Sequence, residues 1–148
     1  MNRELIWETI YGQVPSKANN YMAVPGTGDN RRIIKDIVVR EYERNFLCQI
    51  SRYKNMNIKG RFRLFIHVYE SSDRYDLDNA LKTVLDCLQY AHAIENDNTC
   101  AEISARKIVD RQRPRIMFAI EEIDKPLNLF ESLDRNDMSR PKYPERPR

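Results

Sequence analysis

The sequence is poor in the residues from which several common sites are built. Its 148 residues include two histidines, three cysteines and four glycines. With only His67 and His92, we expect no histidine-based catalytic site, and predict instead a packed strand residue and a cation at a helix end. Cys48, Cys87 and Cys100 are odd in number and lack C-x-x-C spacing. We therefore expect reduced thiols in or near the core, and neither a disulfide framework nor a zinc site.

Long apolar runs and nucleotide-binding motifs are also missing. No run approaches the roughly 20 residues of a membrane span, and the start, Met1–Glu4, lacks the apolar region of a signal peptide. We therefore expect a cytoplasmic protein without a membrane partner. The chain has no Walker phosphate loop, no glycine-rich dinucleotide fingerprint and no serine or cysteine nucleophile motif. The EF-hand pattern fails because the twelfth position from Asp76 is Cys87 instead of glutamate.

Composition indicates a globular protein with a weak overall charge. The chain is 41% hydrophobic and 32% charged, and its net charge is +3, so the total gives no argument for nucleic-acid binding. The basic residues are clustered, and such clusters either contact phosphates or form ordinary solvated faces. The clusters span Arg31–Lys35, Lys59–Arg63, Arg106–Arg115 and Arg140–Arg148. We expect one domain over residues 1–123 and a flexible extension, rich in Pro and Arg, over 124–148.

Hydrophobic periodicity predicts the order of the secondary structure. Alternation indicates strands, and apolar residues three or four apart indicate helices. The predicted elements are a strand over 4–12, a polar loop to about Asn30, a helix over 33–53, a strand over 62–69, a helix after Asp78, and a hairpin of strands over 100–109 and 115–122. This order, β-α-β-α-β-β, predicts an α/β or α+β domain with a small mixed sheet and two main helices. The strand over 62–69 is predicted to be central, because its second face is also partly apolar.

Two aspartates, Asp76 and Asp78, open the second helix. Asp78, Lys82 and Asp86 are four apart, so they share the polar side of that helix. We predict that Asp78 is the N-cap and that Asp76 lies just outside, near the positive end of the helix dipole. A further aspartate, Asp97, lies on the turn that follows the helix.

The residues alone leave two interpretations of this acidic stretch open. One is a capped surface helix with an Asp78–Lys82 ion pair, which would stabilise the helix by only about 0.2–0.5 kcal/mol. The other is a divalent-metal site, because hard cations such as Mg²⁺ bind carboxylate oxygens and keep waters for activation.

The complete pattern resembles the RusA family of Holliday junction resolvases. The resemblance rests on D-x-D-N-x-x-K-x-x-x-D over residues 76–86, followed by a hydrophobic helix and Asn96-Asp97-Asn98. Pro15-Ser16-Lys17-Ala18-Asn19-Asn20-Tyr21 is similar to the family's Pro-, Ser-, Asn- and Tyr-containing loop after the first strand. The resemblance covers roughly residues 4 to 121, and the aspartate block is its most specific part.

The resemblance implies an endonuclease that resolves four-way DNA junctions by paired, symmetric phosphodiester hydrolysis in recombination and repair. It implies Mg²⁺ as the cofactor, with Mn²⁺ as a substitute, and a homodimer that matches the two-fold symmetry of the junction. We expect the metal site at one end of the sheet, where the aspartate block and the Asp97 turn meet. The extension over 124–148 is not covered by the resemblance.

The resemblance also assigns roles to individual residues. Asp76, Asp78 and Asp97 would hold one or two metal ions, and Lys82 would offset charge on the transition state or leaving group. Asn79 would orient a ligand or phosphate. Asp86 is a second-tier candidate, either an anchor for Lys82 or a helix salt-bridge partner. The DNA-binding candidates are Lys17, Asn19, Asn20, Tyr21, Arg31, Arg32 and Arg74.

Two other functions remain open at this point. The first is a non-catalytic module that binds branched DNA, in which the acidic cluster is structural. The second is a metal nuclease with another preferred substrate, such as a flap or a fork.

Overall fold

Residues 4–15, 21–24, 32–35 and 37–123 are described by a computed structural model of the chain. They form six strands and two helices, with one short 3₁₀ turn. The strands are β1 (Glu8–Tyr11), β2 (Tyr21–Val24), β3 (Arg32–Lys35), β4 (Phe62–Glu70), β5 (Cys100–Val109) and β6 (Arg115–Glu122). The helices are α1 (Ile37–Gln49) and α2 (Leu77–Tyr90), and the 3₁₀ turn is Asp97–Thr99.

Four strands form a mixed sheet in the order β1-β6-β4-β5. The strand β4 pairs in parallel with β5 and antiparallel with β6, and β1 pairs antiparallel with β6. The predicted mixed sheet with two helices is confirmed, as is the order β-α-β-α-β-β of these main elements. The predicted central position of β4 is also confirmed.

The predicted hairpin of β5 and β6 is wrong in its pairing, although both strands have the predicted bounds. The two strands lie on opposite sides of β4. The reason is that β4, α2 and β5 form one crossover unit, in which a helix joins two parallel strands. The connection over 110–114 then passes the end of β4, where the Asp110 N–H donates to the Glu70 carbonyl at 2.8 Å.

The first helix is shorter than predicted. It begins at Ile37, whereas 32–35 form β3, which pairs with β2 inside the predicted polar loop. A short apolar run fits the spacing of a helix or of a strand, and residues 32–35 form a strand because they pair with β2. The helix ends at Gln49, and the buried carboxylate of Glu8 on β1 accepts hydrogen bonds from the N–H groups of Ser51 and Tyr53 just beyond it.

Both helices cover one face of the sheet. Phe62, Leu64, Ile66 and Val68 alternate along β4 and are fully buried in a core that includes Tyr42 and Phe46 of α1 and Val84 and Leu88 of α2. Cys87 is buried and Cys100 packs against this core, but Cys48 is exposed, so the prediction of core thiols is wrong for Cys48.

The other face of the sheet carries a second row of β4 side chains. His67 belongs to this row and packs against Trp7, with ring centroids 5.3 Å apart, so its predicted role as a packed strand residue is confirmed. Burial, and then the nearby Arg106, lower the pKa of His67. His92 lies just past the end of α2. No helix in the described ranges is long and apolar enough to cross a membrane.

Candidate active site at the end of the central strand

The loop between β4 and α2 carries Asp76, and Lys107 of β5 holds this loop in position. The Lys107 ammonium donates to the carbonyls of Asp73 and Tyr75 at 3.2 and 3.3 Å. It also pairs with the Asp73 carboxylate at 3.1 Å. The loop therefore folds back over the end of β4 and β5, and Asp76 is brought to that end of the sheet. Lys107 belongs to a basic cluster in the sequence, but spacing gave no signal of this anchoring role.

Asp76, and not Asp78, occupies the N-cap position of α2. Its backbone is extended, with φ −84° and ψ 132°, and the helix begins at Leu77. The prediction of Asp78 as the N-cap is therefore wrong, because the first helical turn starts earlier. The Asp76 carboxylate accepts no capping hydrogen bond from the helix. Its side-chain neighbour is the Asn79 amide, 3.5 Å away.

The polar side of α2 lacks the Asp78–Lys82 ion pair of the surface-helix interpretation. Asp78 lies in the first turn and is exposed, and Lys82 is exposed one turn later. Among the described residues, no ion pair joins Asp78 to Lys82. Within the described ranges, neither the predicted Asp78 cap nor the ion pair of the surface-helix interpretation is present. Asp86 is half-buried one turn further along.

Glu70, the last residue of β4, was missed by the sequence analysis. Its side chain lies on the helix-covered face, and its exposed fraction is 0%. Both carboxylate oxygens lack a hydrogen-bond partner. Burial raises its pKa to about 7; the charge of Lys107 opposes this rise, and the charges of Asp76 and Asp73 add to it. The signal in the sequence was a glutamate that continues the apolar, core-facing alternation of β4.

Asp97 lies at the opposite end of α2 from Asp76. Its N–H donates to the Gln89 side chain at 3.2 Å, in the turn before β5. The 14 residues of α2 rise about 21 Å, at about 1.5 Å per residue. Metal ligands lie only about 2.0–2.6 Å from the ion. The expectation that Asp97 meets the aspartate block at one end of the sheet is therefore wrong within a single chain.

The described residues agree with this separation. In those ranges, no group of three or more histidine, cysteine, aspartate or glutamate side chains is arranged to hold a metal ion. One chain thus places Glu70, Asp76 and the start of α2 at one end of the sheet and Asp97 at the far end.

Four of the seven DNA-binding candidates lie outside the residues that the structure describes. Lys17, Asn19, Asn20 and Arg31 lie outside the described residues, as does the extension over 124–148. Tyr21 and Arg32 are strand positions in the β2–β3 ribbon. Arg74 is exposed in the loop that carries Asp76, and its N–H donates to the Ser72 hydroxyl at 3.2 Å.

A family model for Endodeoxyribonuclease RusA matches residues 13–121. This range covers most of the chain and includes the aspartate block, all of α2 and the Asp97 turn. The chain belongs to the RusA endodeoxyribonuclease family. It is thus a member of a nuclease family that acts on branched DNA junctions. A search of curated proteins found no match.

Replacing Glu70 with glutamine should remove a pH-dependent loss of stability. The raised pKa means that the folded protein keeps a proton on Glu70 between the ordinary value of 4.5 and about 7, where the unfolded chain has released it. The contribution of protonated Glu70 to the free energy of unfolding is complete below pH 4.5 and is lost as the pH rises through 7. In EDTA at pH 8, Glu70→Gln should be more stable than the wild type by about 1–3 kcal/mol.

Urea denaturation at pH 5 and pH 8 measures this difference. The advantage of Glu70→Gln should shrink as the pH is lowered toward 5, while Glu122→Gln, at an exposed position of β6, should show little change at either pH. An equal advantage at both pH values would contradict the raised pKa.

Proposed function

We propose that the protein is a metal-dependent endonuclease that cuts four-way DNA junctions as a homodimer. The observation that carries this proposal is the aspartate block at the start of α2, within a chain of the RusA family. The uncapped Asp76 carboxylate and the exposed Asp78 and Lys82 are available to a cation and a phosphate at one end of the sheet. Asp97 is the remaining carboxylate of the motif, and it would come from a second copy.

The residues at this end of the sheet fit Mg²⁺, or Mn²⁺ in its place. The carboxylates of Asp76 and Asp78 offer only oxygen donors, which these hard cations prefer. Glu70, which ends β4 at this end of the sheet, has a buried carboxylate without a hydrogen-bond partner. When bound, such an ion lowers the pKa of a coordinated water and polarises the phosphate.

The chain's own polar residues would position the DNA backbone around the ion. Lys82 would lie against the phosphate and offset the negative charge that develops during hydrolysis. Asn79, whose amide is 3.5 Å from Asp76, would hold that carboxylate in one orientation. Asp86, one turn beyond Lys82, would orient the lysine. DNA contacts are proposed for Lys17, Asn19, Asn20, Tyr21, Arg31, Arg32 and Arg74.

The edge strand β5 offers a dimer interface that would complete the site. In the part of the chain that is described, β5 pairs with β4 alone, and it exposes Ile103 and Val109. An edge strand that exposes apolar side chains can pair with another strand. If two β5 strands paired antiparallel about a two-fold axis, Cys100 of one copy would lie opposite Val109 of the other.

This pairing would bring the two halves of the site together. Asp97 precedes Cys100, and Asp76 lies at the sheet end where Val109 ends β5. An antiparallel arrangement would therefore set Asp97 of the partner subunit beside Asp76 of the first chain, twice per dimer. Two such sites would suit a junction whose two cut strands are related by two-fold symmetry.

Asp76→Asn and Asp78→Asn should each lower cleavage of a labelled four-way junction by on the order of 10²-fold or more. Junction binding should persist, because binding depends on the basic groups. The assay compares the junction with a linear duplex, in Mg²⁺ and in EDTA, for wild type and each variant. Full activity in either variant would contradict the metal site.

The same assay separates the alternative functions. If wild type and variants bind the junction and none cuts with any divalent ion, the protein is a binding module. If flaps or forks are cut faster than junctions, it is a metal nuclease with a different substrate. Paired symmetric nicks in the junction, only with metal, support the proposal.

Mixed dimers test whether Asp97 acts across the interface. A dimer of one Asp76→Asn chain and one Asp97→Asn chain contains one site with both aspartates intact and one site that lacks both. Coexpressed and purified through two different tags, it should nick junctions, although each parent homodimer is inactive. The control pairs Asp76→Asn with Asp78→Asn, which leaves both sites damaged and should stay inactive. Absence of nicking in the first mixture would contradict the shared site.

Ile103→Lys should weaken the dimer, because it puts a charge into the proposed β5 interface. We expect at least a tenfold rise in the dimer dissociation constant by analytical ultracentrifugation, with a parallel loss of cleavage. The matched control is Ile37→Lys, at an exposed isoleucine of α1, which should leave both unchanged. A stable, active Ile103→Lys dimer would rule out this edge as the interface.

A further inference from the structure

Glu70 differs from the other buried glutamate of the described chain in having no partner. Glu8 is also buried, but its carboxylate accepts hydrogen bonds from backbone N–H groups just beyond the end of α1. Neither oxygen of Glu70 accepts a hydrogen bond, and none of its side chain is exposed. A buried carboxylate without partners is unfavourable in either protonation state, because its desolvated oxygens are left unsatisfied.

The fold itself does not require a glutamate at this position. Leu64, Ile66 and Val68 occupy the preceding core-facing positions of β4, and an apolar residue at position 70 would continue the same packing. A side chain that is unfavourable for folding, and that an apolar one could replace, indicates a role outside packing.

The charge of Lys107 acts on Glu70, but this lysine is already engaged. Lys107 has three N–H donors, and its three acceptors are the two loop carbonyls and the Asp73 carboxylate. It therefore has no donor left for Glu70. Glu70 is the last residue of β4, and the loop that carries Asp73 and Asp76 is held by Lys107 at that same strand end. Carboxylates at the same end of a sheet attract a cation from solution.

We propose that Glu70 is a further ligand of the divalent cation that Asp76 binds, so that β4 and the start of α2 each supply an oxygen donor. This inference rests on the proposed metal site and extends it to a residue outside the aspartate motif. Glu70 would reach the ion from the core side of the sheet end, and Asp76 from the loop.

Binding of Mn²⁺ alone, in the absence of DNA, tests this role. Free Mn²⁺ is counted by electron paramagnetic resonance at pH 8 with the full chain, and the metal-induced rise in melting temperature is recorded in parallel. Glu70→Gln should weaken Mn²⁺ binding at least tenfold and lose most of that rise, although the variant itself stays folded in EDTA. Glu70→Asp keeps the charge and should lie between wild type and Glu70→Gln.

Glu8→Gln is the matched control, because it removes a buried carboxylate that already has partners. It should change the melting temperature in EDTA but leave Mn²⁺ affinity within twofold of the wild type. If Glu70→Gln binds Mn²⁺ as tightly as the wild type while Asp76→Asn does not, Glu70 is a buried neutral acid and the metal site stands without it. If the wild type binds no Mn²⁺ at millimolar concentration, both the Glu70 role and the proposed metal site are overturned.

Discussion

The parallel pairing of β4 with β5 is the constraint on which the rest of the structure depends. Parallel neighbours need a crossover, and here α2 provides it by running back along the covered face of the sheet. The helix must therefore start where β4 ends and finish where β5 begins. Asp76 and Asp97, which flank α2 in the sequence, are held at opposite ends of the sheet by this single topological fact.

The same pairing organises the end of the sheet that carries the aspartate block. Because β5 runs beside β4, Lys107 reaches the loop between β4 and α2 and fastens it by three contacts. The loop in turn holds Asp76 at the end of β4, the strand whose last core-facing residue is Glu70. Lys107 is engaged by the loop, and under the proposed function the carboxylates at this end would attract an external cation. Under the proposed function, the other half of the motif, Asp97, would come from a second chain.

Local patterns predicted the elements well, and non-local pairing explains the misses. Alternation in Phe62–Glu70 and the apolar spacing of Leu81, Val84 and Leu88 gave β4 and α2 almost at their observed bounds. The same patterns contain no information about neighbours, so β5 and β6 were predicted as a hairpin although β4 separates them. Ile33 and Ile34 fitted a helix locally and became a strand through pairing with β2. Glu70 was missed because burial of a charged residue is decided by tertiary contacts.

The most direct test of the account is a crystal structure of the protein with Mn²⁺, in which anomalous scattering locates the ion. We predict an ion at the end of β4, bound by Asp76 and Glu70 of one chain and approached by Asp97 of the partner subunit across paired β5 strands. An ion bound at Asp97 and far from any Asp76, or a dimer in which the β5 edges are not paired and Asp97 stays remote from the aspartate block, would contradict it.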